Sequence, residues 1–171
     1  MAPKPMIEIT PIQPDQVAEA KCVIHAVANR IFAPEQSVEE FLGTPEGQHW
    51  LDDVENYQKV YMENRGLLLV ALDDGKIVGT GGIRMLKWDV AELKRLWLLE
   101  EYHGQGIGFR LVARLLDFAR AQGYTSVCLQ TSPQQERAIA FYKKLGFYEI
   151  PCYNDDLEEI SMGIRLDKLA F

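Results

Sequence analysis

Residues 92–118 read ELKRLWLLEEYHGQGIGFRLVARLLDF, and the rest of the chain is organised around this stretch. An apolar strand running to Leu99 feeds the tight loop Tyr102-His103-Gly104-Gln105-Gly106-Ile107-Gly108. A helix follows, with Ile107, Leu111, Leu115 and Phe118 on one face and Arg110, Arg114 and Arg120 on the other. Glycines at 104, 106 and 108 carry no Cβ, so the backbone can turn sharply and direct successive N–H groups at one concave point. A helix beginning there adds about four unpaired donors and roughly half a positive charge. The stretch therefore reads as a pyrophosphate cradle, or more plainly as a glycine-rich connection. It is not a P-loop, because Phe109 and Arg110 stand where a lysine and a hydroxyl are needed. Nor do glycines spaced by two form the Gly-x-Gly-x-x-Gly dinucleotide pattern.

Working outward, a helix between the strand at Glu92 to Leu99 and a further strand at Thr125 to Thr131 implies a parallel crossover. Upstream, Leu67 to Leu72 and Lys76 to Leu86 flank Asp73-Asp74-Gly75 and predict an antiparallel hairpin. Met6 to Ile12 predicts a first strand. Val17, Ala20, Ile24, Val27 and Ile31 recur at gaps of three and four, an amphipathic helix closed by Phe32-Ala33-Pro34. Ser37 with Glu40 reads as a capping box and Thr44-Pro45 as another helix start, while Trp50, Val54, Tyr57 and Tyr61 share a helical face. Pro133 to Leu145 reads as a helix, Tyr148 to Ile150 as a short strand and Glu159 to Leu166 as the closing strand. Together these predict an α/β fold, a mixed sheet with helices on both faces.

At 171 residues the sequence fits one domain over 1–171. Eighteen Lys+Arg against 25 Asp+Glu give a net charge of −7, which disfavours a nucleic-acid partner held by general electrostatics. Cys22, Cys128 and Cys152 are too few and scattered for a disulfide framework or a zinc site, and fit a reducing, cytoplasmic setting. His25, His49 and His103 do not fall at metal-ligand spacing, so no metal is expected, and His25 reads as a surface residue. The longest apolar run, Leu67 to Leu72, is far short of a membrane span, and the N-terminus lacks a signal-peptide pattern.

The loop resembles the Arg/Gln-x-x-Gly-x-Gly/Ala signature of the GNAT superfamily of N-acetyltransferases, with Gly106 and Gly108 as the signature glycines and His103 at the Arg/Gln position. Ala138 to Phe147 is similar to that family's Ala-x-x-x-Tyr-x-x-x-Gly-Phe segment. By periodicity alone, Tyr142 there is equally a core aromatic beside Ala138, Phe141 and Leu145. The resemblance implies the GNAT fold, with six to seven strands and about four helices. It also implies acetyl-CoA as co-substrate, its pyrophosphate over residues 103 to 109 (His103, Gly104, Gln105, Gly106, Ile107, Gly108 and Phe109) and its pantetheine arm along Leu96, Trp97 and Leu98. Gln135 stands where relatives often place an Asn that contacts CoA. Arg110, Arg114, Lys143 and Lys144 are the nearest cations in sequence for the nucleotide end.

The implied reaction is direct attack of an amine on the thioester. Glu92, which opens the central strand where several members carry a catalytic glutamate, is the candidate base, or otherwise a solvent-facing strand carboxylate. Tyr142 matches the usual proton donor to the leaving thiolate. Cys128 reads as a buried strand residue with no neighbouring His or acid to make it a nucleophile. The acceptor, a small-molecule or peptide amine, is expected among Phe32 to Glu39, Arg84 to Glu92 and Pro151 to Leu157. There Glu35, Glu39, Asp155 and Asp156 suit a cationic amine and Arg84 suits a carboxylate. Family habit allows a homodimer through the last strands. A competing expectation is a catalytically weak CoA-binding sensor or interaction module, motivated by His103.

Overall fold

The computed structural model describes residues 2–169; Met1, Ala170 and Phe171, which the expected 1–171 domain includes, lie outside the described residues. Seven strands form one sheet in the order β1-β2-β3-β4-β5-β7-β6. They are β1 (Ile7–Pro11), β2 (Leu67–Asp73), β3 (Lys76–Lys87), β4 (Val90–Leu98), β5 (Ser126–Thr131), β6 (Tyr148–Glu149) and β7 (Ile160–Arg165). Only the β4–β5 pairing is parallel, as the crossover predicted; the other pairings are antiparallel.

Each strand's side chains alternate between two cores. In β2, Leu69 and Ala71 join one core while Leu68, Val70 and Leu72 join the other, so the run is apolar throughout. The first core is covered by α5 (Ile107–Ala121) and α6 (Glu136–Leu145). The second lies under α1 (Val17–Phe32) and the segment holding α2 (Val38–Leu42), α3 (Pro45–His49), α4 (Asp52–Glu55) and a π turn at Gln58–Met62. Ser37 Oγ accepts the Glu40 amide at 3.1 Å and Thr44 Oγ1 the Gly47 amide at 3.0 Å, so both short helices are capped as their sequences indicate. Among the described residues, no helix is long and apolar enough to cross a membrane.

Three expectations need correction. His25 is buried, not on the surface; its ring packs edge-on to Phe41 and tilted against Trp50, at 6.0 and 5.5 Å between centroids. The buried face of α1 is turned accordingly, through Ala20, Val23, Ile24, His25 and Ala28, and Ile31 is exposed. The arginines of α5 are not free cations: Arg110 donates to the Ile7 carbonyl at 2.9 Å and Arg114 to that of Ile9. Both cover β1, an edge strand whose carbonyls would otherwise be unpaired.

Candidate active site

β4 and β5 pair at three positions only, Val90 with Ser126, Ala91 with Val127 and Glu92 with Cys128. Beyond Glu92, β4 continues against β3 alone and β5 against β7 alone, so two strand edges part in the middle of the sheet. A bulge accompanies the parting. Leu93 and Leu96, three residues apart, both face the first core, so Arg95 is the inserted residue, with φ +56° and a register shift opposite Thr80 to Gly82. Arg95 is held there by Asp53, which accepts from its Nε at 3.0 Å and its Nη2 at 2.9 Å, and by the Trp50 carbonyl at 2.9 Å. Thr80 Oγ1 donates to the Arg95 carbonyl at 2.7 Å.

A cleft of about 1170 Å³ opens in the gap, lined by Glu92 and Leu93 to Leu99, by His103, Gly104 and Gly108, by Gln135 and Tyr142, and by the rings of Phe32, Phe41 and Trp50. At its mouth the chain passes a 3₁₀ turn at Glu100–Tyr102 and enters α5 through Gly104 and Gly106, both at φ +79°, conformations that L side chains resist. Gly106 caps the helix and Gly108 lies within its first turn. The amides of Gly104, Gln105, Gly106, Ile107 and Gly108 donate to no acceptor among the described residues. The Ile107 side chain is buried in the core, so only its main chain serves the loop, and the exposed Phe109 ring lies outside the cleft. His103 Nε2 donates to the Leu98 carbonyl at 3.1 Å and its Nδ1 is buried without a partner among the described residues. The imidazole thus pins the strand end.

Glu92 is 6% exposed and not a solvent-facing carboxylate. Its Oε1 accepts from Arg84 Nε and Nη2 at 3.3 and 3.2 Å, and its Oε2 accepts from the Tyr153 hydroxyl at 2.7 Å. Arg84 therefore serves Glu92 and does not line the cleft; of the expected acidic set, Asp156 lines it and Glu35, Glu39 and Asp155 do not. Burial and the Glu92 charge push the Tyr153 phenol well above its ordinary range. The same two causes push the Cys128 thiol up to about 12, which keeps it protonated and unreactive.

Tyr142 is 6% exposed, its ring edge-on to Phe141 and Phe147, and burial raises its phenol above the usual value. Its hydroxyl has no hydrogen-bond partner among the described residues; Tyr142 is a core aromatic that also lines the cleft. Gln135 Oε1 accepts from Thr131 Oγ1 at 3.0 Å and from the Ser132 amide at 3.3 Å, shaping the turn into α6.

Two groups escaped the sequence reading. Tyr153 meets Glu92 from 61 positions away, with no local pattern to mark it. Lys94, by contrast, was visible as the residue two after Glu92 on the same strand face, and it lines the cleft.

The profile of the acetyltransferase (GNAT) family matches residues 32–147, more than half of the chain. N-acetyltransferase 8B of Rattus norvegicus is 32% identical over 145 residues, covering 77% of this chain and 65% of that protein. N-acetyltransferase 8B of Homo sapiens is 39% identical over 101 residues, covering 56% and 44%. The chain thus spans about half to two thirds of the length of these relatives. Among solved structures, an acetyltransferase of the GNAT family from Staphylococcus aureus Mu50 superposes with a TM-score of 0.79 at 22% identity, covering 94% of this chain and 99% of that one. The PaiA N-acetyltransferase of Thermoplasma acidophilum, solved in complex with coenzyme A, gives 0.76 at 22% identity with the same coverage. These structures share the fold, and the family match over most of the sequence shows that the chain belongs to the GNAT acetyltransferase family.

Proposed function

We propose that this chain is an acetyl-CoA-dependent N-acetyltransferase that moves the acetyl group directly to a primary amine of a small molecule or a peptide. The observation that carries this reading is the row of amides from Gly104 to Gly108, which have no acceptor among the described residues and stand at the mouth of a cleft between parted strands. A diphosphate satisfies such a row. The edge of β4 from Leu96 to Leu98 can pair with an amide-bearing arm as it would with a peptide. The names of the relatives and the coenzyme A complex of one structural neighbour point the same way.

Glu92 is the base in this reading. An alkylamine of pKa ~10 is only about one part in a thousand neutral at pH 7, so attack needs the ammonium proton removed. Glu92, ion-paired with Arg84, takes the proton directly or through water. The amine lone pair then forms the N–C bond, the C–S bond breaks with its electron pair leaving on sulfur, and the second proton on the now cationic nitrogen passes through water to the thiolate. Tyr142 supplies a hydrogen bond to that sulfur. Its phenol lies above a thiol's pKa of ~8.5, so it stabilises the developing thiolate more than it surrenders a proton outright.

Calorimetric titration with acetyl-CoA and a free-thiol assay across a panel of amines test the assignment. Binding together with sustained amine-dependent thiol release is expected, and Glu92→Gln should flatten the rise of kcat with pH. No acetyl-CoA binding at millimolar ligand rejects it. One observation favours the second reading, a CoA-binding module without turnover: both Glu92 oxygens are already engaged. Binding with no thiol release on any amine selects it.

A further inference from the structure

On the α1 side of β4 the charges near Glu92 are paired off. Arg84 serves Glu92, and Arg95 serves Asp53. Lys94, half-buried in the cleft between these pairs, makes no hydrogen bond or ion pair among the described residues. Burial holds its ammonium below the ordinary lysine range, with Arg84 and Arg95 acting in the same direction and Glu92 and Asp53 against it. Across the bulge on the same strand face, the Trp97 indole N–H is buried with no acceptor among the described residues. This face of β4 therefore presents to the cleft two side-chain donors without acceptors among the described residues, one of them a cation, in a chain whose net charge is −7. Buried donors of this kind cost free energy until an acceptor arrives.

Around them stands an apolar wall. Trp97 packs edge-on to Phe32 and Trp50, and Trp50 packs on Phe41, with centroids 6.0 to 6.4 Å apart. Asp156 and Glu159 also line the cleft, and the Glu159 carboxyl is raised by burial and by its acidic neighbours Asp156 and Glu158. These carboxyl groups favour an ammonium group, while Lys94 favours an anion.

Resting on the transferase reading, we infer that the acceptor is an amine that also carries a carboxylate, which Lys94 binds, with its apolar carbon skeleton against the Phe32, Trp50 and Trp97 wall. Arg84, the residue the sequence marked for a carboxylate, is unsuited because Glu92 already occupies it. Lys94 is a specificity-determining residue here and takes no part in the chemistry.

The test uses matched acceptors, phenylalanine and phenylalaninamide, leucine and leucinamide, β-alanine and β-alaninamide, at saturating acetyl-CoA. Amidation also lowers the amine's own pKa, so the readout is the change in the acid-to-amide ratio of kcat/KM between proteins, which cancels that difference. Lys94→Met and Lys94→Gln should lower this ratio about 10- to 100-fold through KM, the worth of one charge-assisted hydrogen bond. Lys94→Arg, which keeps the charge, should restore most of it. A ratio unchanged in folded Lys94→Met or Lys94→Gln for every pair overturns the inference. Should acetyl-CoA bind and no amine be acetylated, the transferase reading fails, and calorimetry on CoA-saturated protein decides the Lys94 site separately. N-acetylphenylalanine binding more tightly than N-acetylphenylalaninamide to the native chain, but not to Lys94→Met, supports an anion site; equal affinities in the native chain refute it.

Discussion

Replacing Gly106 with alanine separates backbone conformation from side-chain chemistry at the loop that organises the fold. Gly106 caps α5 at φ +79° and ψ 7°, and a Cβ built there meets nothing within 4 Å, so the substitution introduces no clash. What remains is the cost of a left-handed conformation for an L residue, about 1–2 kcal/mol. For a chain of this size that corresponds to a fall of about 2–8 °C in Tm if the loop keeps its shape. If it relaxes toward negative φ instead, the amides around residue 106 turn away from their common point. Losing one charge-assisted hydrogen bond to a phosphate is worth about 1.5–3 kcal/mol, or roughly 10- to 150-fold in Kd for CoA. Gly108→Ala is the matched control: it lies inside α5, its Cβ would sit 3.5 Å from Phe141 Cζ in ordinary contact, and alanine favours the helix by up to about 1 kcal/mol. The control should keep its stability and its CoA affinity. Urea unfolding and calorimetric titration of CoA measure both quantities on both variants. A Gly106→Ala protein that binds CoA as tightly as the native chain, or a Gly108→Ala protein equally impaired, refutes the assignment of these amides to the phosphates.

Other outcomes follow from the same geometry. Tyr142→Phe removes a hydroxyl with no protein partner, so stability should hold within about 0.5 kcal/mol while kcat falls about 10-fold or more with little change in the KM for acetyl-CoA; a fully active variant removes Tyr142 from the mechanism. Asp53→Asn leaves the Arg95 guanidinium uncompensated, with both side chains 14% exposed in the native pair, and should cost about 3–5 kcal/mol in urea unfolding. Although burial by itself would raise it, the hydrogen bonds and charge of Arg95 hold the Asp53 carboxyl below its ordinary value. Its contribution is therefore complete above the unfolded value near pH 4 (about 3.9) and is lost as pH falls through the folded one, a slope Asp53→Asn should abolish. His25 is lowered by burial first and then by Lys21 and Arg95. The unfolded imidazole binds protons more readily, so stability is full above about pH 6.5 and declines as pH falls through the folded value. His25→Phe should flatten the urea midpoint between about pH 7 and pH 5; an unchanged slope would assign that dependence to other groups.

Much of this molecule is legible because its signals are local. A glycine at positive φ, a Ser or Thr before a helix, a two-residue hairpin turn and an apolar stripe at gaps of three and four each act over one or two turns of chain, and a helix between two strands dictates the parallel crossover. Those signals placed β4, the loop and α5 in order, and with them Glu92, the glycines and Tyr142 on one route. What they leave open is the partner of each charge. Arg110 and Arg114 look like solvent-facing helix cations, and only packing brings them to the carbonyls of an edge strand about a hundred residues away. Arg84 looks like a free carboxylate clamp until cross-strand register sets it opposite Glu92. The inserted Arg95 shifts the phase of β4, so alternation counted from Glu92 fails beyond Lys94, and Tyr153 reaches Glu92 through a loop with no periodicity. Local sequence thus determined the elements, their order and the amide-lined turn, because backbone conformation is set by near neighbours. Tertiary structure alone decided which side chains neutralise one another and which, like Lys94, are left without a partner among the described residues, because charge pairing depends on distance in space and not along the chain.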